Sequence, residues 1–140
     1  MPLSNDIKVD FFNVNYGFKA GESIHQFGRT VNEYGEMFRP VASFGMSSST
    51  LDELVKEKII PLPNHIKIDV DGLEPLVLDG MNNLLTKDCL RSVLCEITGS
   101  SSKISKVENV FRKKGFICVY RSQRLEGNYI FKRQELVGSV

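Results

Sequence analysis

Apolar residues recur along this chain with two different periods, and the switches between them mark out its elements. From Ile7 to Val14 (IKVDFFNV) β-branched and aromatic residues dominate, which predicts a strand. A turn-prone patch with Gly17 and Lys19-Ala20-Gly21 follows, and GESIHQF then reads as a second short strand, closing a hairpin. Residues 28–35 are polar and aperiodic. FRPVASFGM offers another extended segment, in which Pro40 suits an edge better than a centre. After the loop-forming Ser47-Ser48-Ser49, Thr50 with Glu53 makes a capping-box pattern, and Leu51, Leu54 and Val55 continue at helical spacing to about Lys58.

Period two returns at HIKIDVDG, where Ile66, Ile68 and Val70 alternate with Lys67, Asp69 and Asp71. Gly72 releases the chain. Glu74-Pro75 opens a helix, since proline suits the first helical position, and Leu73, Val77, Met81 and Leu84 form its apolar stripe to about Leu85 or Thr86. A strand at Ser92 to Ile97, a helix over about Ile104 to Lys114 and a stop at Gly115 come next. Phe116 to Tyr120 and Tyr129 to Phe131 complete the pattern as two strands, and QELVGSV has no clear period. From Thr50 the order is helix, strand, helix, strand, helix, strand, strand. It predicts an α/β fold with a parallel sheet covered by helices and an antiparallel hairpin at the end.

Composition changes this picture little. With 140 residues, 41% of them hydrophobic, the chain is about one domain with a real core. Its net charge of +1 gives no overall electrostatic footprint for nucleic acid or an anionic membrane. No apolar run reaches the roughly 18 residues needed to span a bilayer, and the N-terminus has no signal-peptide pattern. Cys89, Cys95 and Cys118 lack metal-binding spacing, so a reduced, cytoplasmic setting is expected.

Candidate chemistry centres on the charges of HIKIDVDGLEPLVLDGM. Burying an ionised side chain without a partner costs several kcal/mol, so a strand core excludes it. In open α/β sheets ligands bind outside the carboxyl ends of the strands. Asp69 and Asp71 stand at one such end and Glu96 at the next, so adjacent strands would bring three carboxylates to one rim, with Lys67 farther down as a partner. The plainer reading is an intra-sheet charge cluster, with Glu74 a first-turn acid and Glu96 the partner of a lysine or arginine. His25 and His65 have no companions for a zinc set. DVDG fails as a calcium loop, because from Asp69 the glycine position holds Glu74. No metal is expected. FRKKG, Phe111 to Gly115, is the cationic last turn of a helix.

HIKIDVDGLEPLVLDGMNNLL, preceded by STLDEL and followed by RSVLCEI, resembles the FkbM-type S-adenosylmethionine-dependent methyltransferases. Their pattern is a leucine-aspartate helix start, a strand reading K-I-D-V-[ED]-G-x-E, a helix with L-x-G and a strand ending in E. KKGFICVYRS and EGNYIFKR are similar to the last two strands of that family.

The resemblance implies a Rossmann-like class I methyltransferase sheet with IKVDFFNV as third strand and HIKIDVDG as fourth. The family's first two strands, its glycine-rich cofactor loop and its acidic ribose partner have no counterpart, so residues 1–140 are expected to be a partial methyltransferase domain, by gene truncation, a chosen boundary or a split architecture. The implied reaction is methylation of a small-molecule or sugar hydroxyl with S-adenosylmethionine as cofactor. Asp69 is the expected catalytic and cofactor-side residue, orienting the acceptor or acting as general base, with Glu96 beside it. Lys67, Asp71 and Glu74 would shape the acceptor rim. Incomplete cofactor binding leaves activity of this chain alone doubtful. The alternative is a non-catalytic interaction module built from the C-terminal half of the fold. Missing strands would also leave open sheet edges, and these predict a homo-oligomer.

Overall fold

The computed structural model describes residues 1–15, 25–32, 34–124 and 127–136. Gly17, Lys19-Ala20-Gly21, the first half of GESIHQF and the end of QELVGSV lie outside them.

Two sheets organise the described residues. A three-stranded antiparallel sheet holds β1 (Val9–Val14), β2 (His25–Phe27) and β3 (Ala42–Ser47) in the order β2-β1-β3. A four-stranded sheet holds β4 (His65–Ile68), β5 (Ser92–Ile97), β6 (Phe116–Arg121) and β7 (Gly127–Arg133) in the order β4-β5-β7-β6. β4 and β5 are parallel. β7 runs antiparallel to both β5 and β6, so β6 points the same way as β4 and β5, and the C-terminal hairpin inserts its second strand into the sheet.

This corrects the expectation for Ile7 to Val14. β1 is not a strand of the main sheet but the centre of the smaller one, where Phe12 faces Phe27 on one side and Phe44 on the other. Its apolar content is read there by neighbours that are themselves aromatic, and short antiparallel connections are available to them.

Among the described residues the helices follow the expected order: α1 (Leu51–Lys56), α2 (Glu74–Asp79) and α3 (Ser101–Lys113). The Thr50 hydroxyl accepts from the Glu53 N–H at 3.0 Å, and α1 ends just before Lys58, whose φ of 57° leaves the helical region. α2 is shorter than its apolar stripe suggests. It stops at Asp79, and a separate 3₁₀ turn, Leu84–Thr86, carries the stripe onward. The Asp52 carboxylate accounts for that break by accepting from the N–H groups of Asn83 and Leu84 at 2.8 and 2.7 Å, which caps the new turn from outside.

β5 shows why the helices cover one face. Val93, Cys95 and Ile97 are buried against α2 and α3, with Val77, Leu78, Val107 and Phe111, while Ser92, Leu94 and Glu96 alternate onto a half-exposed face. Lys67 lies opposite Leu94 in the parallel register, so Lys67 and Asp69 share that second face with Glu96. Charges in a strand are accommodated because this face is not the core.

Candidate functional site

The rim forms where β4 and β5 end side by side. β4 closes at Ile68, and Asp69 follows directly, on the face of Lys67. Lys67 Nζ stands 2.7 Å from Asp69 Oδ2 with both side chains largely in solvent. Glu96, on the neighbouring strand one position beyond the Ile68–Cys95 pairing, is half-buried, and its carboxyl group is close enough to that of Asp69 for the two charges to interact. Two acids that feel each other's charge do not titrate independently.

Environment splits the two. The Lys67 ammonium holds the Asp69 carboxyl below the usual carboxylate range through its hydrogen bond. Burial first, and then the charge of Asp69, push Glu96 above that range. Asp69 is thus the ionised member and Glu96 the one that keeps a proton longer.

Asp71 and Glu74 go elsewhere. Asp71 adopts φ 43°, outside the strand alternation, and its carbonyl oxygen accepts from Gln26 Nε2 at 3.0 Å. Gln26, fully buried on β2, in turn accepts from Arg29 Nε at 2.8 Å, and this chain docks the small sheet against the rim. Glu74 is fully buried behind the rim. Its Oε1 accepts from the Gly72 N–H at 2.9 Å, and Oε2 pairs with Lys103 Nζ at 2.7 Å. The structure therefore joins Lys67, Asp69 and Glu96 on one face, leaves Asp71 beside them, and places Glu74 on the other side. Cys95 lies next to that buried pair, where burial foremost and then the Glu74 charge push its thiol well up; it is inert packing.

Sequence reasoning missed Lys103 and Gln26. Lys103 had a signal: a cation in the first turn of a helix opposes the dipole, so its presence there asks for a partner. Gln26 had none.

Two clefts flank the pair. One, about 210 Å³, lies between the small sheet and the rim and is lined by Pro2, Leu3, Phe12, His25, Phe27, Asp69, Val70, Asp71 and Leu73. The other, about 530 Å³ and mostly polar, is lined by Tyr34, Glu96, Thr98, Tyr120, Ser122, Arg124, Gly127 and Asn128. Among the described residues, no three His, Cys, Asp or Glu side chains are grouped to hold a metal ion, and no helix is long and apolar enough to cross a membrane.

The Methyltransferase FkbM domain model matches residues 11–118, and the chain belongs to that family of methyltransferases. No curated protein and no solved structure matches it.

S-adenosylmethionine is the cofactor the family implies, and the described residues do not fit the whole of it. Sites for ligands of that size enclose roughly 300–1,000 Å³. The cleft beside Asp69, at about 210 Å³, falls short of this, and the larger cleft is open, polar and on the Glu96 side.

Proposed function

We propose that this chain is the acceptor-side part of an S-adenosylmethionine-dependent methyltransferase that methylates a hydroxyl group of a small molecule or sugar. The observation that carries the reading is the placement of the Asp69 and Glu96 carboxyl groups at adjacent strand ends, Asp69 lining the smaller cleft and Glu96 the polar one. A hydroxyl that accepts a methyl group must lose its proton, and a carboxyl group held above its usual range is the better base near neutral pH. Glu96 takes the proton, and Asp69, kept ionised by Lys67, orients the hydroxyl. Thr98, Ser122, Asn128 and Arg124 supply hydrogen bonds to the remainder of a polyhydroxylated acceptor, and Tyr34 and Tyr120 offer ring faces. Asp71 lines the donor-side cleft, and Glu74 supports the rim from behind. In this reading the domain is partial, because the cleft beside Asp69 is too small for the donor.

Calorimetric titration of the chain with S-adenosylmethionine tests the donor side. Weak or absent heat supports the reading, and micromolar binding overturns the partial-domain part of it. For the acceptor side, carboxyl NMR during titration with monosaccharides and small polyols should move the Asp69 and Glu96 resonances together. Binding that moves neither overturns the assignment.

A second reading rests on the small sheet, where Val9, Phe11 and Phe44 are exposed, and on β4 and β6, the edges of the larger one. Here the chain is an interaction module that associates with a second copy of itself. A monodisperse monomer in light scattering at high concentration would reject it.

A further inference from the structure

Both strands that carry the carboxyl pair leave the sheet through a glycine with positive φ, Gly72 at 95° after β4 and Gly99 at 114° after β5. Such turns have little intrinsic rigidity, since glycine gives up more conformational freedom on ordering than any other residue. Yet two carboxyl groups carried on neighbouring strand ends keep a fixed separation only if both exits are held. Something must tie the exits together.

Lys103 touches both. Its Nζ is 2.7 Å from Glu74 Oε2, and Glu74 Oε1 accepts from the N–H of Gly72 in the first exit. The same ammonium donates to the Thr98 carbonyl oxygen at 2.7 Å, in the second exit, two positions beyond Glu96. The tie lies on the helix side of the sheet, opposite the face that displays the pair, and the Glu74 side chain is 1% exposed. Lys103 is itself held by α3, whose N-cap Ser100 accepts from the Lys103 N–H.

We propose that Lys103 is a positioning residue: by bridging Glu74 and the Thr98 carbonyl it sets the separation of Asp69 and Glu96 on the opposite face. It acts through backbone and touches no reactant. This rests on the reading of the pair as the acceptor-side site, but its geometric content stands apart from catalysis.

The charged and titratable groups around Glu96 decide how to test it. Lys67 comes from β4 and Asp69 directly follows it, Asp71 comes from the turn beyond, Tyr34, Tyr120 and Arg124 from across the cleft, and Glu74 and Lys103 lie behind Cys95. Deleting the Lys103 cation alone would raise the Glu96 midpoint electrostatically, whereas loosening the two exits would lower it by separating Glu96 from Asp69. The signs are opposite.

The experiment follows the Glu96 side-chain carboxyl by carbon-13 NMR across pH in the full chain, in Lys103→Arg and in the charge-neutral double variant Glu74→Gln with Lys103→Met. The double variant is expected to bring the Glu96 midpoint down by about one pH unit. Lys103→Arg should recover most of that difference, and Gly72 amide exchange should quicken about tenfold in the double variant only. A midpoint that stays or rises in a folded double variant overturns the proposal. If that variant does not fold, Lys103→Gln decides by sign: a fall supports positioning, and a rise or no change overturns it. Neither donor nor acceptor enters the measurement, so failure to detect methyl transfer would overturn the functional reading and leave this result untouched.

Discussion

The Arg133 guanidinium lies 4.5 Å from the ring centre of Phe116, and it donates to the carbonyl oxygens of Leu85 and Lys87 at 3.1 and 2.8 Å and of Leu90 at 3.1 Å. Arg133 is buried, and its described acceptors are backbone carbonyls at the end of the sheet remote from the carboxyl pair. A planar fork reaches several carbonyls at once; an ammonium does not. Arg133→Lys should therefore cost about 2 kcal/mol in urea denaturation, because buried carbonyls lose their donors. A loss under about 0.5 kcal/mol, as at an ordinary surface site, would refute this account.

Phe111 carries the contact between α3 and the sheet. Its ring stacks on Phe131 at 3.9 Å between centroids and meets Phe116 edge-on at 5.9 Å, with no exposure to solvent. Phe111→Ala should destabilise by about 4 kcal/mol, as deletion of a fully buried ring does. Phe111→Leu, which keeps much of the volume, should cost less than half of that. Thermal unfolding of the two variants ranks them, and equal losses would mean that the aromatic ring itself, and not the volume it fills, is what the site requires.

Stability should depend on pH with opposite signs for the two members of the pair. Glu96 binds its proton more tightly folded than unfolded, so stability falls as pH rises from its ordinary value of 4.5 through the raised folded one. Asp69 is lowered, so its contribution is present above the ordinary 3.8 and is lost as pH falls through the depressed value. Glu96→Gln removes the first slope. Between about pH 5 and about pH 7 its melting temperature should vary less than that of the parent chain, by a few degrees at most because both groups are partly solvated. A parallel decline in both proteins would show that Glu96 is not the source.

Gly80 ends α2 in right-handed helical geometry, φ −76° and ψ −1°, where alanine is conformationally free to sit. A Cβ there would overlap the Ser4 carbonyl oxygen and reach 3.3 Å from the Cβ of Thr50. Ser4 is pinned in turn, its N–H donating to the Ser49 carbonyl oxygen at 2.9 Å. Gly80→Ala should thus lower stability by about 1–3 kcal/mol despite better helix propensity, with the Ser4 amide exchanging faster. Unchanged or increased stability would mean that the N-terminal segment yields without cost.

The sequence by itself determined what each segment is. Alternation defined β5 as Ser92–Ile97, a side-chain cap began α1 at Thr50, and period two put Lys67, Asp69 and Glu96 on one face once β4 and β5 are neighbours. These are local matters of side-chain spacing, capping chemistry and φ, and neighbouring residues suffice to encode them. Tertiary structure decided which segments meet. The turn-prone patch after IKVDFFNV announced its hairpin with β2, but backbone donors and acceptors are the same on every strand, so nothing in the segment says that its other edge pairs with β3 rather than with a strand of the larger sheet. The same holds for Glu74, whose first-turn position reads as dipole chemistry but whose burial comes from Lys103 on a later helix. Asp71 kept the charge the pattern noticed and lost the direction, because its positive φ turns the chain out of the strand where Gln26 can hold it.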